Sequence, residues 1–189
     1  MGRKISVSFV LLFLVLSLGS IFADGGGGIL IGYQAGKYPF FEKNYLASRN
    51  MGLMYYGGFG YGLQGRRVIH GGFGYAISDP TGESNIWGGF GGPITGFRII
   101  RKPVTISITS WTGFGGVYTG RNTVNPDRGF FCISEDLQLE IGLPILRWFM
   151  PVIFVGYQVS ANLVPAPPII GFLSYTPVMG MRITWGKFR

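Results

Sequence analysis

Hydrophobic and polar positions alternate along most of this chain, and a period near 3.6 is almost absent. Leu137, Leu139, Ile141 and Leu143 alternate with Asp136, Gln138, Glu140 and Gly142. Ile153, Val155, Tyr157, Val159, Ala161 and Leu163 alternate with Phe154, Gly156, Gln158, Ser160 and Asn162, and Val104, Ile106 and Ile108 with Thr105, Ser107 and Thr109. Successive strand residues point to opposite faces, so each set lies on one face of a β-sheet. The first half uses other residues in the same rhythm. Leu53, Tyr55, Gly57, Phe59 and Tyr61 alternate with Met54, Tyr56, Gly58, Gly60 and Gly62; Gly71, Phe73, Tyr75 and Ile77 alternate with Gly72, Gly74, Ala76 and Ser78. One face is aromatic there and the other is nearly bare backbone.

A Gly-Phe-Gly element recurs at residues 58–60, 72–74, 89–91 and 113–115, with the unequal spacing of successive hairpin strands rather than of a solenoid. Glycine weakens strands, so its repeated use opposite aromatics calls for strong curvature or close packing, and a narrow barrel needs both. Turn residues separate the runs: Leu63-Gln64-Gly65-Arg66, Asp79-Pro80-Thr81-Gly82-Glu83, Arg101-Lys102-Pro103, Gly120 to Arg128, Leu143-Pro144 and Val164 to Pro168. Strands are predicted at 29–36, 51–62, 67–78, 86–101, 104–119, 129–142, 148–163 and 169–188. That makes eight, with up to ten if the last breaks near Pro177. Asp24 to Gly28 reads as a flexible lead-in, and Tyr38 to Asn50 as a short helix or plug.

The first 23 residues follow a different pattern. Met1-Gly2-Arg3-Lys4 is positive, Ile5 to Ala23 is apolar apart from scattered Ser and Gly, and Ala23 is small, the order of a cleaved secretory signal. Cleavage there leaves 166 of 189 residues, a single domain over 24–189. The whole chain is 47% hydrophobic and 13% charged, against roughly a quarter charged in a typical soluble protein. Yet the most apolar later stretch, Leu143 to Val159, holds Pro144, Arg147 and Pro151, which disfavour a spanning helix. Lipid-facing barrel strands reconcile a greasy composition with the lack of a second spanning segment.

The predicted fold is therefore an all-β, antiparallel up-and-down barrel of about eight strands, with an apolar belt outside and small or polar residues inside. At eight strands side chains fill the interior, which argues against a wide pore. Asp136, Gln138 and Glu140, with Gln158 on the next strand, should then face the lumen, where Arg98, Arg147 or Arg182 can pair with them. The formal charge of +8 falls to about +6 once Arg3 and Lys4 leave. Basic groups at Arg66-Arg67, Arg101-Lys102 and Arg121 with Arg128 sit beside turns, which suits anionic headgroups or lipopolysaccharide phosphates and not nucleic acid.

Few motifs carry chemistry. Gly60-Tyr61-Gly62-Leu63-Gln64-Gly65 satisfies the dinucleotide fingerprint in letters only, because Arg66-Arg67-Val68-Ile69-His70 leads into another strand and not a helix. It reads as a hairpin turn, and no cofactor is expected. His70 is the sole histidine; Ser78, Ser84 and Ser110 are nominal nucleophiles and Asp79 or Glu83 nominal orienters, with no nucleophile-elbow pattern around any of them. One His and one Cys leave no clustered zinc site. Cys132 has no intrachain partner and reads as a small buried residue.

The tail from Met179 to Arg189, with Met181, Ile183 and Trp185 alternating and Phe188 near the end, resembles the terminal strand of bacterial outer-membrane β-barrels. In that family such a strand ends on an aromatic residue and is tied to recognition by the assembly machinery; here Arg189 follows Phe188, out of phase with Trp185. The resemblance implies an outer-membrane location, the lipid bilayer as partner, and a structural, surface-binding or narrow-channel role. Two other readings are a secreted or periplasmic all-β protein that binds a ligand or self-assembles, and an outer-membrane enzyme acting on lipid.

Overall fold

A computed structural model describes residues 25–36, 51–82, 86–119, 128–162 and 173–188. Eight strands, β1 (Gly25–Gly36), β2 (Met51–Gln64), β3 (Val68–Ser78), β4 (Ile86–Ile100), β5 (Thr105–Thr119), β6 (Arg128–Gly142), β7 (Phe149–Asn162) and β8 (Leu173–Lys187), pair in chain order. Each is antiparallel to the next, and β1 pairs with β8 from Gly25↔Lys187 to Gln34↔Val178, closing the barrel. Closure leaves no sheet edge exposed. The signal segment, the Tyr38–Asn50 helix or plug, Ser84, Arg121 and residues 163–172 lie outside the described residues.

Connections of three, four and six residues join β2–β3, β4–β5 and β6–β7 at the end where β1 begins and β8 finishes. Those at the other end, after β1, β3, β5 and β7, run to fourteen, seven, eight and ten residues. The tightest turn is the false dinucleotide motif. Gly65 and Arg66 both take positive φ (59° and 64°), and the Arg67 amide donates to the Gln64 carbonyl at 3.3 Å. Positive φ at both central residues is the type I′ turn, whose twist matches that of its strands.

The strands differ from the sequence expectation in two places. The lead-in glycines belong to β1, where a Cβ on Gly28 would collide with the Ile183 carbonyl; the close approach of β8 calls for glycine there. β8 also continues in register through Pro177, opposite Tyr157, so no ninth strand forms among the described residues. Near Arg98 the β4–β5 register shifts by one residue, and Ile99 and Ile100 both face outward at this bulge.

The core is the lumen. Its inward positions include Leu53, Tyr55, Phe59, Phe73, Tyr75, Phe90, Ile94 and Trp111, all buried. On β2 and β3 the aromatic face therefore points inward and the glycine-rich face outward, reversing the expected apolar-out, small-or-polar-in arrangement, while on β4 Phe90 points inward and Trp87 and Phe97 outward. Glycines turned inward would leave the lumen unfilled, whereas the inward rings occupy it. On β6 the expected sidedness holds: Leu137, Leu139 and Ile141 are 59, 42 and 45% exposed, while Asp136 and Gln138 are 2% exposed.

Candidate functional site

The polar groups of the lumen gather on the inner faces of β5, β6, β7 and β8. Ladder pairs set Gln138 beside Thr109 and Asp136 beside Gln158. Glu140 lies two residues further along the same face of β6. Arg182 reaches toward them from β8, and its Nη1 donates to Glu140 Oε1 at 2.7 Å. Its Nη2 donates to Gln138 Oε1, while the Thr109 hydroxyl donates to Glu140. The guanidinium lies 4.2 Å from the Trp111 ring centroid, 4.4 Å from Phe154 and 5.5 Å from Phe59. One cation is thus held by groups from β2, β5, β6 and β7, and it lies across the lumen.

A charge this buried (Arg182 is 4% exposed) is tolerable only when paired and hydrogen-bonded, and the aromatic faces add cation–π attraction. Asp136 stands apart from the ion pair, with Gln138 Nε2 at a long 3.5 Å from its Oδ2. Gln158 Nε2 donates to the Tyr75 hydroxyl at 3.0 Å, which ties the polar wall to the aromatic one. Around the other wall, Trp111 sits 4.7 Å from Phe73 and 6.0 Å from Phe59, and Phe73 stacks on Tyr75 at 5.4 Å between centroids.

Of the residues singled out from the sequence, Asp136, Gln138, Glu140, Gln158, Arg98 and Arg182 all face the lumen. Arg147 does not. It lies exposed in the β6–β7 turn, because the six residues there carry it past the end of the ladder. Arg98 hydrogen-bonds Tyr61 rather than a carboxylate. The aromatic partners of Arg182 went unrecognised. The signal that could have found them is volume, since the largest side chains of β2 and β3 share one face.

No hydrolytic constellation assembles among the described residues. His70 is exposed on the outer wall near the β2–β3 turn, and Ser78 lies at the far end of the same strand. Ser110 donates instead to Glu135, an outward-facing carboxylate that also accepts from the Thr112 hydroxyl at 2.7 Å. Asp79 caps its own turn, accepting from the Thr81 amide at 2.9 Å and the Thr81 hydroxyl at 2.8 Å. Cys132 is buried at 1% exposure.

No protein-family model, no curated protein and no solved structure matches the chain. The arrangement of its own residues carries the functional reading.

Proposed function

We propose that this chain is a small outer-membrane β-barrel, exported by its N-terminal signal, with a structural or surface-binding role and a lumen closed by its own side chains. The observation that carries the reading is the banding of the outer wall. On β7 and β8, Tyr157 and Tyr175 lie toward the long connections, Trp148 and Trp185 lie at the short-turn end, and Ile153, Val155, Met179 and Met181 fill the interval, all exposed. Tyr175 and Trp185 are ten residues apart. At about 3.4 Å rise and roughly 40° tilt this is an apolar band about 25 Å tall between aromatic girdles, as a bilayer requires.

Charge distribution supports the same reading. Between the rims, Glu135 is the one carboxylate on the described outer wall, and two hydroxyls attend it. Arg66, Arg67, Lys102, Arg147 and Lys187 are exposed at the short-turn end, where anionic headgroups would meet them. The guanidinium across the lumen favours an anchoring or binding role over conduction.

The test uses a Cys132→Ala background, since that is the only native thiol. A spin label at position 139 in vesicles should be relaxed by lipid-soluble oxygen and shielded from aqueous nickel complexes. Shielding from both would mean a protein core and defeat the membrane reading. A mature N-terminus at Asp24, read by mass spectrometry, would support export, and retention of Met1 or Arg3 would oppose it.

A further inference from the structure

The outer wall is not uniformly convex. Toward the long connections of β4, β5 and β6 a groove of about 500 Å³ opens, within the size range of ligand pockets. Its walls are Trp87 with Tyr118 on one side and Phe131 on the other. The two rings of the first wall lie 4.8 Å apart between centroids. Its floor is backbone. Gly89 faces Gly116 across the β4–β5 ladder, Gly116 faces Phe131 across β5–β6, and Gly129 faces Tyr118. Tyr118 and Phe131 each stand opposite a glycine, and Trp87 on β4 lies two strand spacings from Phe131 on β6, so the depression between those rings is roughly 10 Å across from backbone to backbone and narrower between the ring faces.

The barrel does not itself require the floor glycine at 129. A Cβ on Gly129 would meet only Tyr118 Cδ2, at 3.9 Å, and Gly129 has no positive φ. At Gly89 a Cβ would press on the Tyr75 carbonyl oxygen at 3.3 Å, and at Gly115 and Gly88 it would run into the backbone of the neighbouring strand. At Gly129 the depth of the groove is therefore surplus to the packing of the wall.

We infer that this groove holds one acyl chain of a membrane lipid, laid along the wall between Trp87 and Phe131. The inference rests on the membrane reading above, because the groove is continuous with the lipid-facing belt. Its lining asks for an apolar occupant, and its width for a slender one. A polymethylene chain satisfies both. The convex wall of a second barrel would ride on the projecting rings of Trp87 and Phe131 without reaching the floor.

The experiment compares two single-tryptophan forms of the mature chain, keeping Trp87 or Trp185 with the others changed to Phe, titrated with dibrominated phosphatidylcholine in detergent micelles. Quenching of Trp185 should rise in proportion to the brominated lipid. Quenching of Trp87 should saturate at a roughly tenfold lower mole fraction, which marks a retained chain. Gly129→Leu fills the groove and should return Trp87 to the proportional behaviour; Phe131→Ala, which removes a wall without adding bulk, should raise the saturating fraction. The idea fails if Trp87 tracks Trp185, if neither variant changes the saturation while the barrel still shifts mobility on heating, or if Gly129→Leu converts a dimer to a monomer. Failure of the membrane reading looks different: in vesicles neither tryptophan is quenched at any lipid fraction.

Discussion

On β6 and β8 the lumen-facing residues include Ser134, Asp136, Gln138, Glu140, Thr176, Arg182 and Thr184, while Leu137, Leu139, Met179 and Met181 face out. On β2 and β3 the inward residues are Leu53, Tyr55, Phe59, Phe73 and Tyr75, and the outward face is largely glycine. The two walls run opposite hydrophobic patterns through the same alternation. Volume is what they share. A narrow lumen must be filled, and rings from one wall reach toward small residues of the other parts of the sheet. A Cβ on Gly180 would lie 2.5 Å from Phe154 Cζ, and one on Gly113 would lie 3.3 Å from Phe73 Cζ. Side-chain size, rather than polarity, decides which face turns inward when neither face carries charge.

The strongest way to break this comparison is to empty the aromatic wall. Trp111 is 2% exposed and touches Phe59, Phe73 and the Arg182 guanidinium. Trp111→Ala should cost about 3–5 kcal/mol, read as a lowered urea midpoint for barrel unfolding in vesicles. Tyr56→Ala, on the outer face of β2, should shift the same midpoint by no more than about 0.5 kcal/mol. The polar wall has its own linchpin. Glu140→Ala strands Arg182 as an unpaired buried charge and should cost about 3–5 kcal/mol, whereas Glu140→Leu combined with Arg182→Met should recover most of that loss. A double variant as unstable as Glu140→Ala would show that the ion pair itself, not relief of a stranded charge, holds the wall.

How legible this was depended on the wall. On β6 a charged or amide side chain occupies every second position from 136 to 140, and desolvating those groups outside the barrel would be costly, so alternation and sidedness could be read together. On β2 and β3 both faces are apolar, and hydropathy alone does not choose between Phe73 and Gly74. The partner of Arg182 was legible to the level of an inward carboxylate, since Glu140 shares a face with Asp136. The choice of Glu140 over Asp136, and the diversion of Arg98 to Tyr61, depend on strand tilt and register. These follow from barrel closure and from no local pattern. Arg147 was misplaced because its distance from the ladder end depends on how far the β6–β7 turn extends.

An intermediate effect tests the outward face of the polar wall. Leu137 lies two residues from the middle of β6 and is 59% exposed. Leu137→Arg should cost about 2–4 kcal/mol in a bilayer, and His70→Arg, near the short-turn rim, about 0–1 kcal/mol, since the penalty of a cation falls toward the interfaces. Urea midpoints in vesicles check both. Equal costs would mean that the outer wall does not span a depth gradient. The reverse exchange is not a fair control, because Gln138 is fully enclosed and already accepts from Arg182, so an arginine there would meet a like charge.

The smallest effect separates the glycines of the first wall. Gly57 and Gly71 point inward, and a Cβ on Gly71 would lie 2.7 Å from Tyr61 Cα, while one on Gly57 would lie 2.5 Å from Tyr75 Cα. Backbone atoms cannot swing aside, so Gly57→Ala and Gly71→Ala should each cost about 1–3 kcal/mol through overpacking. Gly60 and Gly72 are on the outward face of the same ladder. A Cβ on Gly60 meets nothing within 4 Å, and one on Gly72 only the Gly92 carbonyl oxygen at 3.5 Å. Neither has positive φ, so alanine fits the native backbone. Gly60→Ala and Gly72→Ala should therefore raise stability by about 0.4–1 kcal/mol, because alanine narrows the unfolded ensemble without strain in the folded one. Urea midpoints for the four single variants, measured in the same vesicles, should split by sign according to the face. If the outward pair destabilised the barrel as much as the inward pair, the bare face would be under a steric demand from the fold itself, and the contrast between the two faces of this wall would collapse.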